Sequence, residues 1–420
     1  MAGGRGSGAS RVTRTEWGAG RVPVGFQQGE EREMSISWIE KTRLPVAIMA
    51  AAMIVTACSS AATTAPTQAP ASAAAPASAA PASAAPASAA ASAAVSAAPG
   101  ASSAAKISAP NFKVALVVSG TLGDKGFFDS ANAGIMRAAQ DFGIQTKVLQ
   151  ASPTDPAQWL QNLEAVSNGD YNIVITGSTQ QHDNLTQVAK EHPNQHYIQF
   201  DDQVALPNVL SIEYKQNDGS YLAGVLAGIV ATDKTDFPLS SAGGKVGLVG
   251  GMNIPVINDF VDGYKQGAES VGISASNILV SYIGNFTDAN KAYNLTTAMY
   301  NQGADIVFAV AGGAGLGVLK ASAEQNKYSI GVDSDQNGLY PGHVLASMVK
   351  EVGNSLYDQI QAAIQGNAPW GQLLHYGLKN NGVGLIIDTK DVPQSVVDKI
   401  NAAHQDVASG KVVVKSEFSQ

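Results

Sequence analysis

Cysteine is almost absent from this chain, which has one cysteine and six histidines among 420 residues. The single cysteine, Cys58, excludes an internal disulfide and a cysteine-rich metal site. Long hydrophobic segments are also scarce. The apolar stretch Leu44–Ala57 has 14 residues, whereas a membrane-spanning helix needs about 20. A disulfide-stapled fold is therefore excluded, and a spanning helix at this stretch is disfavoured.

Basic residues are too few for a nucleic-acid-binding protein. The chain has 26 basic and 34 acidic side chains, and residues 1–43 hold 7 of the basic and 5 of the acidic ones. The remaining residues therefore carry a formal charge of −10. A dilute acidic surface disfavours binding to nucleic acid and is compatible with a small-molecule ligand.

The surroundings of Cys58 are typical of a bacterial lipoprotein signal. Lys41 and Arg43 precede the apolar stretch Leu44–Ala57, whose end is made of small residues. A positive flank, a short apolar core and small residues at the end fit a signal peptide better than an anchor helix. We expect cleavage before Cys58 and acylation of that residue. The alternative is a core helix with a chance cysteine.

Three N-terminal segments follow from this interpretation. Residues 34–57 form the signal peptide, which makes Met34 the expected start, and residues 1–33 become an upstream extension. Residues 58–105 contain the acylated cysteine followed by near-repeats of Pro-Ala-Ser-Ala-Ala. Such a composition breaks helices and buries too little apolar surface to fold, so we expect an extended tether.

Short apolar runs alternate with amphipathic stretches over the remaining 315 residues. Strands are predicted at Phe112–Ser119 and Tyr171–Thr176, and helices at Ser130–Phe142 and Gly219–Ala231. This alternation predicts parallel sheets covered by helices, and it occurs in two blocks divided near Asp236–Gly244. We expect an N-terminal lobe at 106–240, a C-terminal lobe at 241–345 and a returning segment, 346–420, shared between them.

Ligands of open α/β sheets bind beyond the carboxyl ends of the strands, so the loops that follow strands are the candidate site. In the first such loop, Asp124 offers two acceptor oxygens and Phe127 offers an aromatic ring for stacking. We expect Phe128 to pack beneath the loop and Asp129 to cap the next helix. Asp201 follows the strand Tyr197–Phe200 as an acceptor, although a solvated turn is the alternative.

Later loops add further candidates. Phe286 supplies a second ring, in the other lobe, unless it is a core residue. The glycine-rich loop at Gly313 offers backbone N–H groups, and Asp333 can accept two neighbouring hydroxyls of a sugar. Lys350 adds a cation, with a surface charge as the alternative. The glycine spacing at residues 250–251 matches neither the Walker loop nor the dinucleotide-binding fingerprint, so it does not predict a phosphate site.

These loops, in this order, resemble the basic membrane protein family of substrate-binding lipoproteins, which includes purine-nucleoside receptors of ABC transporters. The resemblance runs from about Phe112 to Ile387. Its motifs are Gly-Gly-Met-Asn-Ile-Pro-Val-Ile from Gly250, Gly-Ala-Asp-Ile-Val-Phe from Gly303, Ala-Gly-Gly-Ala-Gly-Leu-Gly from Ala311, Gly-Val-Asp-Ser-Asp-Gln from Gly331 and Ser-Met-Val-Lys from Ser347.

The resemblance implies a type I periplasmic-binding-protein fold, in which two Rossmann-like lobes close on a ligand about a hinge. It implies that Phe127 and Phe286 sandwich a base and that Asp201 bonds the base edge. The ribose is then held by Asp124, Gly313, Asp333 and Lys350. One departure is Phe128, since many relatives have Asn there.

Together these features predict a lipid-anchored, extracytoplasmic binding protein of an ABC importer, not an enzyme. Its expected partners are a nucleoside, an ABC permease and the membrane, with no nucleic acid and no cofactor or metal, and we expect a monomer. The pair His192 and His196 is separated by Pro193, which disfavours a zinc site. The alternatives are a ligand sensor, a receptor for another small polar molecule such as a sugar, and a nucleoside-processing enzyme that uses Asp124 or Asp333 as acid and base.

Overall fold

The structure is a computed structural model, and it describes residues 107–418. The expected upstream extension (1–33), the signal peptide (34–57) and the tether (58–105) with its lipid-bearing Cys58 lie outside the described residues.

The first of two six-stranded sheets is built mainly from the N-terminal half of the described chain. Its spatial order is β11-β5-β4-β3-β1-β2, and every pair is parallel. Central strands such as β1 are buried on both faces, which explains their continuous apolar sequence. The strands are β1 (Lys113–Val117), β2 (Gln145–Leu149), β3 (Ile173–Gly177), β4 (Tyr197–Phe200), β5 (Val209–Tyr214) and β11 (Leu373–Tyr376).

The second sheet repeats this architecture in the order β12-β10-β9-β8-β6-β7. Its strands are parallel except for β12, which pairs antiparallel with β10 at the edge. The two sheets and their helices confirm the predicted two-lobe α/β fold. The strands are β6 (Val246–Gly250), β7 (Ile278–Tyr282), β8 (Ile306–Val310), β9 (Tyr328–Asp333), β10 (Val344–Lys350) and β12 (Val383–Ile387).

Nine described α-helices cover the sheets. Local sequence determines several of their ends: Asp155 and Asp288 each accept a backbone N–H at a helix start, and Gly143 ends the first helix in the left-handed conformation. The helices are α1 (Phe127–Phe142), α2 (Pro156–Val166), α3 (His182–Glu191), α4 (Gln216–Thr232), α5 (Pro255–Ser270), α6 (Ala289–Asn301), α7 (Leu316–Glu324), α8 (Val352–Ile364) and α9 (Gln394–Ala408).

The chain crosses between the lobes at three short segments that lie side by side. The crossings are Lys215, Glu351 and residues 377–382. The Lys215 N–H donates to the Tyr376 carbonyl (2.8 Å), and the Glu351 N–H donates to the Gly382 carbonyl (2.9 Å). Three hydrogen-bonded crossings of a few residues each have the form of a hinge.

Helix α4 belongs to the second lobe, although the sequence division at residue 240 assigned it to the first. It packs against α5, α9 and strands of the second sheet. The cause is its composition, because α4 is apolar on nearly all sides and most of its residues are buried. Glycines bring α4 and α5 together: a Cβ at Gly224 would collide with the Tyr264 carbonyl, and one at Gly263 with the Asn217 carbonyl.

Among the elements missed from the sequence, edge strand β2 has a weak pattern. Strand β2, with the sequence Gln-Thr-Lys-Val-Leu, lies at a sheet edge and has no fully buried residue. An edge strand needs no continuous apolar run, so its periodicity is faint. By contrast, the predicted helix Gly219–Ala231 corresponds closely to α4, because its apolar content is unmistakable.

The α4–α5 contact can be tested at Gly224. Replacing glycine by alanine inside a helix normally stabilises a protein, but here the new methyl group meets the Tyr264 carbonyl. We expect Gly224→Ala to lower the free energy of unfolding by about 1–3 kcal/mol in urea denaturation. The control Gly338→Ala has open space around the new methyl group and should change stability by less than about 0.5 kcal/mol. A stabilised Gly224→Ala variant would contradict the packing.

Candidate ligand-binding site

A cavity of about 500 Å³ lies between the lobes, and residues of both lobes line it. It is formed at the carboxyl ends of the parallel strands, where ligands of open α/β sheets bind. The seven residues predicted to contact a ligand all line it: Asp124, Phe127, Asp201, Phe286, Gly313, Asp333 and Lys350. Their roles toward a ligand stay predictions.

Asp124 organises the start of α1. Its Oδ1 accepts the N–H groups of Gly126 and Asp129 (both 3.1 Å), and its Oδ2 accepts the N–H of Phe128 (2.9 Å). Burial raises the pKa of Asp124, and the three N–H donors oppose that rise. A carboxylate has about four lone-pair sites, so Asp124 keeps little accepting capacity for a ligand.

The expected helix cap, Asp129, instead braces the preceding loop. Its carboxylate accepts the N–H groups of Gly123 (2.7 Å) and Lys125 (3.0 Å), which precede the helix. The expectation that Asp129 caps α1 was therefore wrong, because Asp124 already occupies the helix start. Phe128 packs beneath the loop as expected, since a Cβ at Gly120 would lie 2.9 Å from its ring.

The two candidate stacking rings come from opposite lobes, and both are half-buried. The Phe127 ring lies 5.2 Å from the rings of Phe128 and Phe200, which support it from the first lobe. The Phe286 ring lies over Gly251, where a Cβ would collide with it. Its carbonyl accepts the Ala314 N–H (2.8 Å). Each ring is therefore supported by its own lobe.

A buried ion pair joins the lobes within the cavity. Lys350, at the end of β10, places its Nζ 2.6 Å from Oδ1 of Asp201, which follows β4 in the other lobe. The Lys350 side chain is only 2% exposed. Its ammonium also lies 5.5 Å from the Phe127 ring and 4.9 Å from the Phe260 ring, distances at which aromatic faces attract cations. The surface-charge alternative for Lys350 is thereby excluded.

Asp333 lies in the same electrostatic group. Burial raises the pKa of its carboxyl to about 7; the Lys350 charge lowers it, while Asp124 and Asp201 raise it further. Burial likewise raises the pKa of Asp201, with Lys350 opposing. Three carboxyl groups and one ammonium therefore line the same cavity, and burial gives Asp333 a pKa close to neutral pH.

Backbone strain concentrates at the strand ends that line the cavity. Ser178, Asp201 and Asp333 have φ values of 79°, 63° and 66°, in the left-handed region that non-glycine residues rarely adopt. Such residues persist when surrounding contacts overdetermine them, and they cluster at ligand sites. All three of these residues line the cavity between the lobes.

The lobes also touch at the loop before α1. Ser334 donates from Oγ to the Gly126 carbonyl (3.3 Å), and Gln336 donates from Nε2 to the Lys125 carbonyl (2.9 Å). Gln336 is itself held, because its Oε1 accepts the Val332 N–H. With the Lys350–Asp201 pair, these bonds define a closed arrangement.

Sequence reasoning missed several lining residues because they have no distinctive chemistry. An apolar wall comes from the start of α5 and the loop before it: Met252, Ile254, Val256, Ile257 and Phe260. The hydroxyl of Ser119, at the tip of β1, was also not assigned a binding role. The Gly250–Gly251 pair has a packing function, since side chains there would strike Ile257, Tyr282 and Phe286.

The histidines considered for zinc have other contacts. His192 lies 3.3 Å from a Glu164 carboxylate oxygen, and the His196 ring stacks on Trp370 at 4.2 Å. Within residues 107–418, no cluster of three or more histidine, cysteine or acidic side chains is arranged to hold a metal ion.

Two α/β lobes, three crossings and a lined cavity between strand ends define the class of proteins with a two-lobe, periplasmic-binding-protein-like fold. Comparison with solved structures agrees on the fold. An ABC transporter system solute-binding protein from Aeropyrum pernix K1 superposes with a TM-score of 0.64 at 24% identity, covering 72% of this chain and 94% of that one.

The chain belongs to the family described as PnrA-like ABC transporter substrate-binding proteins, which it matches over residues 111–417. It is 30% identical to Basic membrane protein A1 of Borrelia garinii subsp. bavariensis, over 72% of this chain and 88% of that protein. It is 29% identical to the ABC transporter nucleoside-binding protein BmpA of Lactococcus lactis subsp. cremoris, over 73% and 90%. The resemblance inferred from the motifs is confirmed.

The raised pKa of Asp333 predicts a stability cost at neutral pH. The folded protein holds this proton up to about pH 7, whereas an unfolded carboxyl ionises near 3.9. The stabilising effect of the proton is complete below the unfolded value and is lost as the pH rises through the folded value.

Asp333→Asn cannot ionise, so the variant should gain stability over the wild type between pH 4 and pH 8. We expect a gain of about 1–4 kcal/mol at pH 8 and a much smaller one at pH 4, measured by urea denaturation without ligand. The charge-matched control is Asp335→Asn, two residues away and exposed. A pH-independent difference would show that Asp333 is not held protonated.

Proposed function

We propose that this protein captures a nucleoside, with a purine base preferred, and delivers it to the permease of an ABC importer. The supporting observation is the pairing of Phe127 and Phe286, one half-buried ring from each lobe, at a cavity that also holds Asp333 and Lys350. A flat heteroaromatic ring and a hydroxyl-bearing sugar have the shape and chemistry to use both features. The printed name of the Lactococcus lactis relative, a nucleoside-binding protein, supports the same ligand class.

The charge of the cavity favours a neutral ligand. The charged side chains among its described lining residues are three carboxylates and one ammonium, and Lys350 is already paired with Asp201. A phosphate ester would bring more negative charge into this desolvated space, where its interaction with the carboxylates is unfavourable. Nucleosides therefore suit the site, and nucleotides do not.

Within this proposal, different residues contact different parts of the ligand. Phe127 and Phe286 stack on the base. Asp333 and Lys350 hold the ribose hydroxyls, together with backbone at Gly313 and the remaining accepting capacity of Asp124. Asp201 uses Oδ1 to hold Lys350, which leaves Oδ2 to accept from the base edge.

The N-terminal sequence adds the cellular setting. A lipid on Cys58, followed by the Ala/Ser/Pro-rich segment 59–105, would keep the binding lobes at the outer face of the membrane, beside the permease. Within residues 107–418 no helix is long and apolar enough to cross a bilayer. The proposed receptor acts as a monomer and without catalysis, because its task is to close on the ligand and present the closed form.

A thermal-shift panel tests this function directly. Purified protein should be stabilised by adenosine, guanosine or inosine in a concentration-dependent way, since a ligand that binds only the folded state raises its stability. The matching 5′-monophosphates and simple sugars are the negative controls, and they should leave the melting temperature of the protein unchanged.

Two results would overturn the proposal. Stabilisation by a sugar but not by any nucleoside would make the protein a receptor of another class. Release of free base from the nucleoside, monitored by chromatography, would make it an enzyme; a carboxyl with a pKa of about 7, such as Asp333, is suited to acid–base chemistry.

The aromatic sandwich can be tested by removing each ring. Phe127→Ala and Phe286→Ala should each weaken nucleoside binding by about 1–3 kcal/mol in calorimetry, the range for stacking of a base on an aromatic side chain. Tyr293→Ala removes a half-buried ring on α6 whose hydroxyl bonds Glu324, and it should leave affinity unchanged. Unaltered affinity in both phenylalanine variants would reject the sandwich.

A further inference from the structure

Ser119 lines the cavity at the tip of β1 and is only 3% exposed. Its Oγ has no hydrogen-bond partner among the described residues. Among the described buried polar side-chain atoms without a partner, it is the one whose residue lines this cavity. Buried polar groups are nearly always satisfied in native proteins, so an unpartnered hydroxyl at a ligand cavity requires a functional explanation.

Neighbouring strand tips differ from Ser119 in this respect. Ser178, at the end of β3, accepts the Gln180 N–H on its hydroxyl (3.3 Å). Asp201, after β4, bonds Lys350. Ser119 is therefore the strand-tip side chain on this wall whose hydrogen-bonding capacity is entirely unused by the described protein groups.

The sheet order separates Ser119 from Asp201 and from the Lys350 ammonium that Asp201 holds. Strands β1 and β4 lie on either side of β3, and two strand spacings amount to about 10 Å. A ligand whose hydroxyls bond the carboxylates near Lys350 would extend its other end toward Ser119. The two ends also differ in chemistry: carboxylates suit hydroxyl donors, whereas a serine hydroxyl both donates and accepts. The edge of a heteroaromatic ring presents both kinds of partner.

We propose that Ser119 determines specificity by hydrogen-bonding a heteroatom of the ligand's flat ring, on the side of the ring opposite the edge that Asp201 contacts. This inference rests on the proposed nucleoside function. It goes beyond that function by assigning part of the recognition of the ring to a residue outside the predicted set.

The test compares two serines that are buried to the same degree. Ser119→Ala removes a hydroxyl without a protein partner, so the ligand-free protein should keep or gain thermal stability. Its affinity for the best nucleoside of the panel should fall about 3- to 10-fold, as expected for one lost neutral hydrogen bond. The free base, measured by competition, should lose affinity by the same factor.

Ser211→Ala is the matched control. Ser211 is 2% exposed, and its hydroxyl accepts the Val204 N–H (3.0 Å) away from the cavity. This variant should lose stability and keep affinity, the opposite of Ser119→Ala. Unchanged affinity in Ser119→Ala would overturn the inference, and so would a loss confined to ribosides. Either result can be distinguished from failure of the nucleoside function, because the wild type would still bind.

Discussion

The ion pair between Lys350 and Asp201 is the contact on which the cavity depends. An ammonium that is 2% exposed has lost its water, and the cost of that loss is recovered only if an opposite charge lies close to it. Asp201 supplies that charge from the other lobe. The pair therefore does two things at once: it makes a buried lysine tolerable, and it joins the carboxyl ends of β4 and β10. If either partner were removed, an unpaired charge would remain in an apolar place, which is strongly unfavourable.

The same pair determines what kind of molecule suits the cavity. Because Lys350 is committed to Asp201, it does not turn the cavity into an anion site, and the remaining carboxylates leave the space electronegative. Burial raises the pKa of Asp333 to about 7, and the neighbouring Asp124 and Asp201 raise it further. A ligand that donates hydroxyl groups would compensate these acceptors, whereas an added negative charge would not.

The contacts between the lobes are few and lie close to the cavity. The backbone crossings at Lys215, Glu351 and 377–382 bond to one another, so they allow rotation without unravelling either core. At the cavity, Gln336 and Ser334 bond the carbonyls of the loop before α1. Opening the lobes would break these two hydrogen bonds and the ion pair.

The alternation of buried strands and amphipathic helices was sufficient to predict two α/β lobes, because continuous apolar runs and 3.6-residue periodicity are local properties. The loop residues followed from one rule, that ligands bind beyond strand ends, and all seven candidates line the cavity. Strand β2 was not predictable, because its weak pattern follows from its position at the edge of the sheet. The lobe to which α4 belongs was not predictable either, because it depends on which surface covers this apolar helix.

Most of the core strands and helices, and the loops that carry polar and aromatic side chains, could be predicted from the order of residues alone, and the single cysteine, Cys58, was predicted to carry a lipid. How these side chains interact became visible in the tertiary structure. In that structure Asp201 bonds Lys350, which is 149 positions away in the sequence. Asp124, and not Asp129, accepts the N–H groups at the start of α1. The Ser119 hydroxyl has no partner among the described residues. The physical reason is that burial and partner distance determine charge and hydrogen bonding, and both arise only when distant strand ends meet.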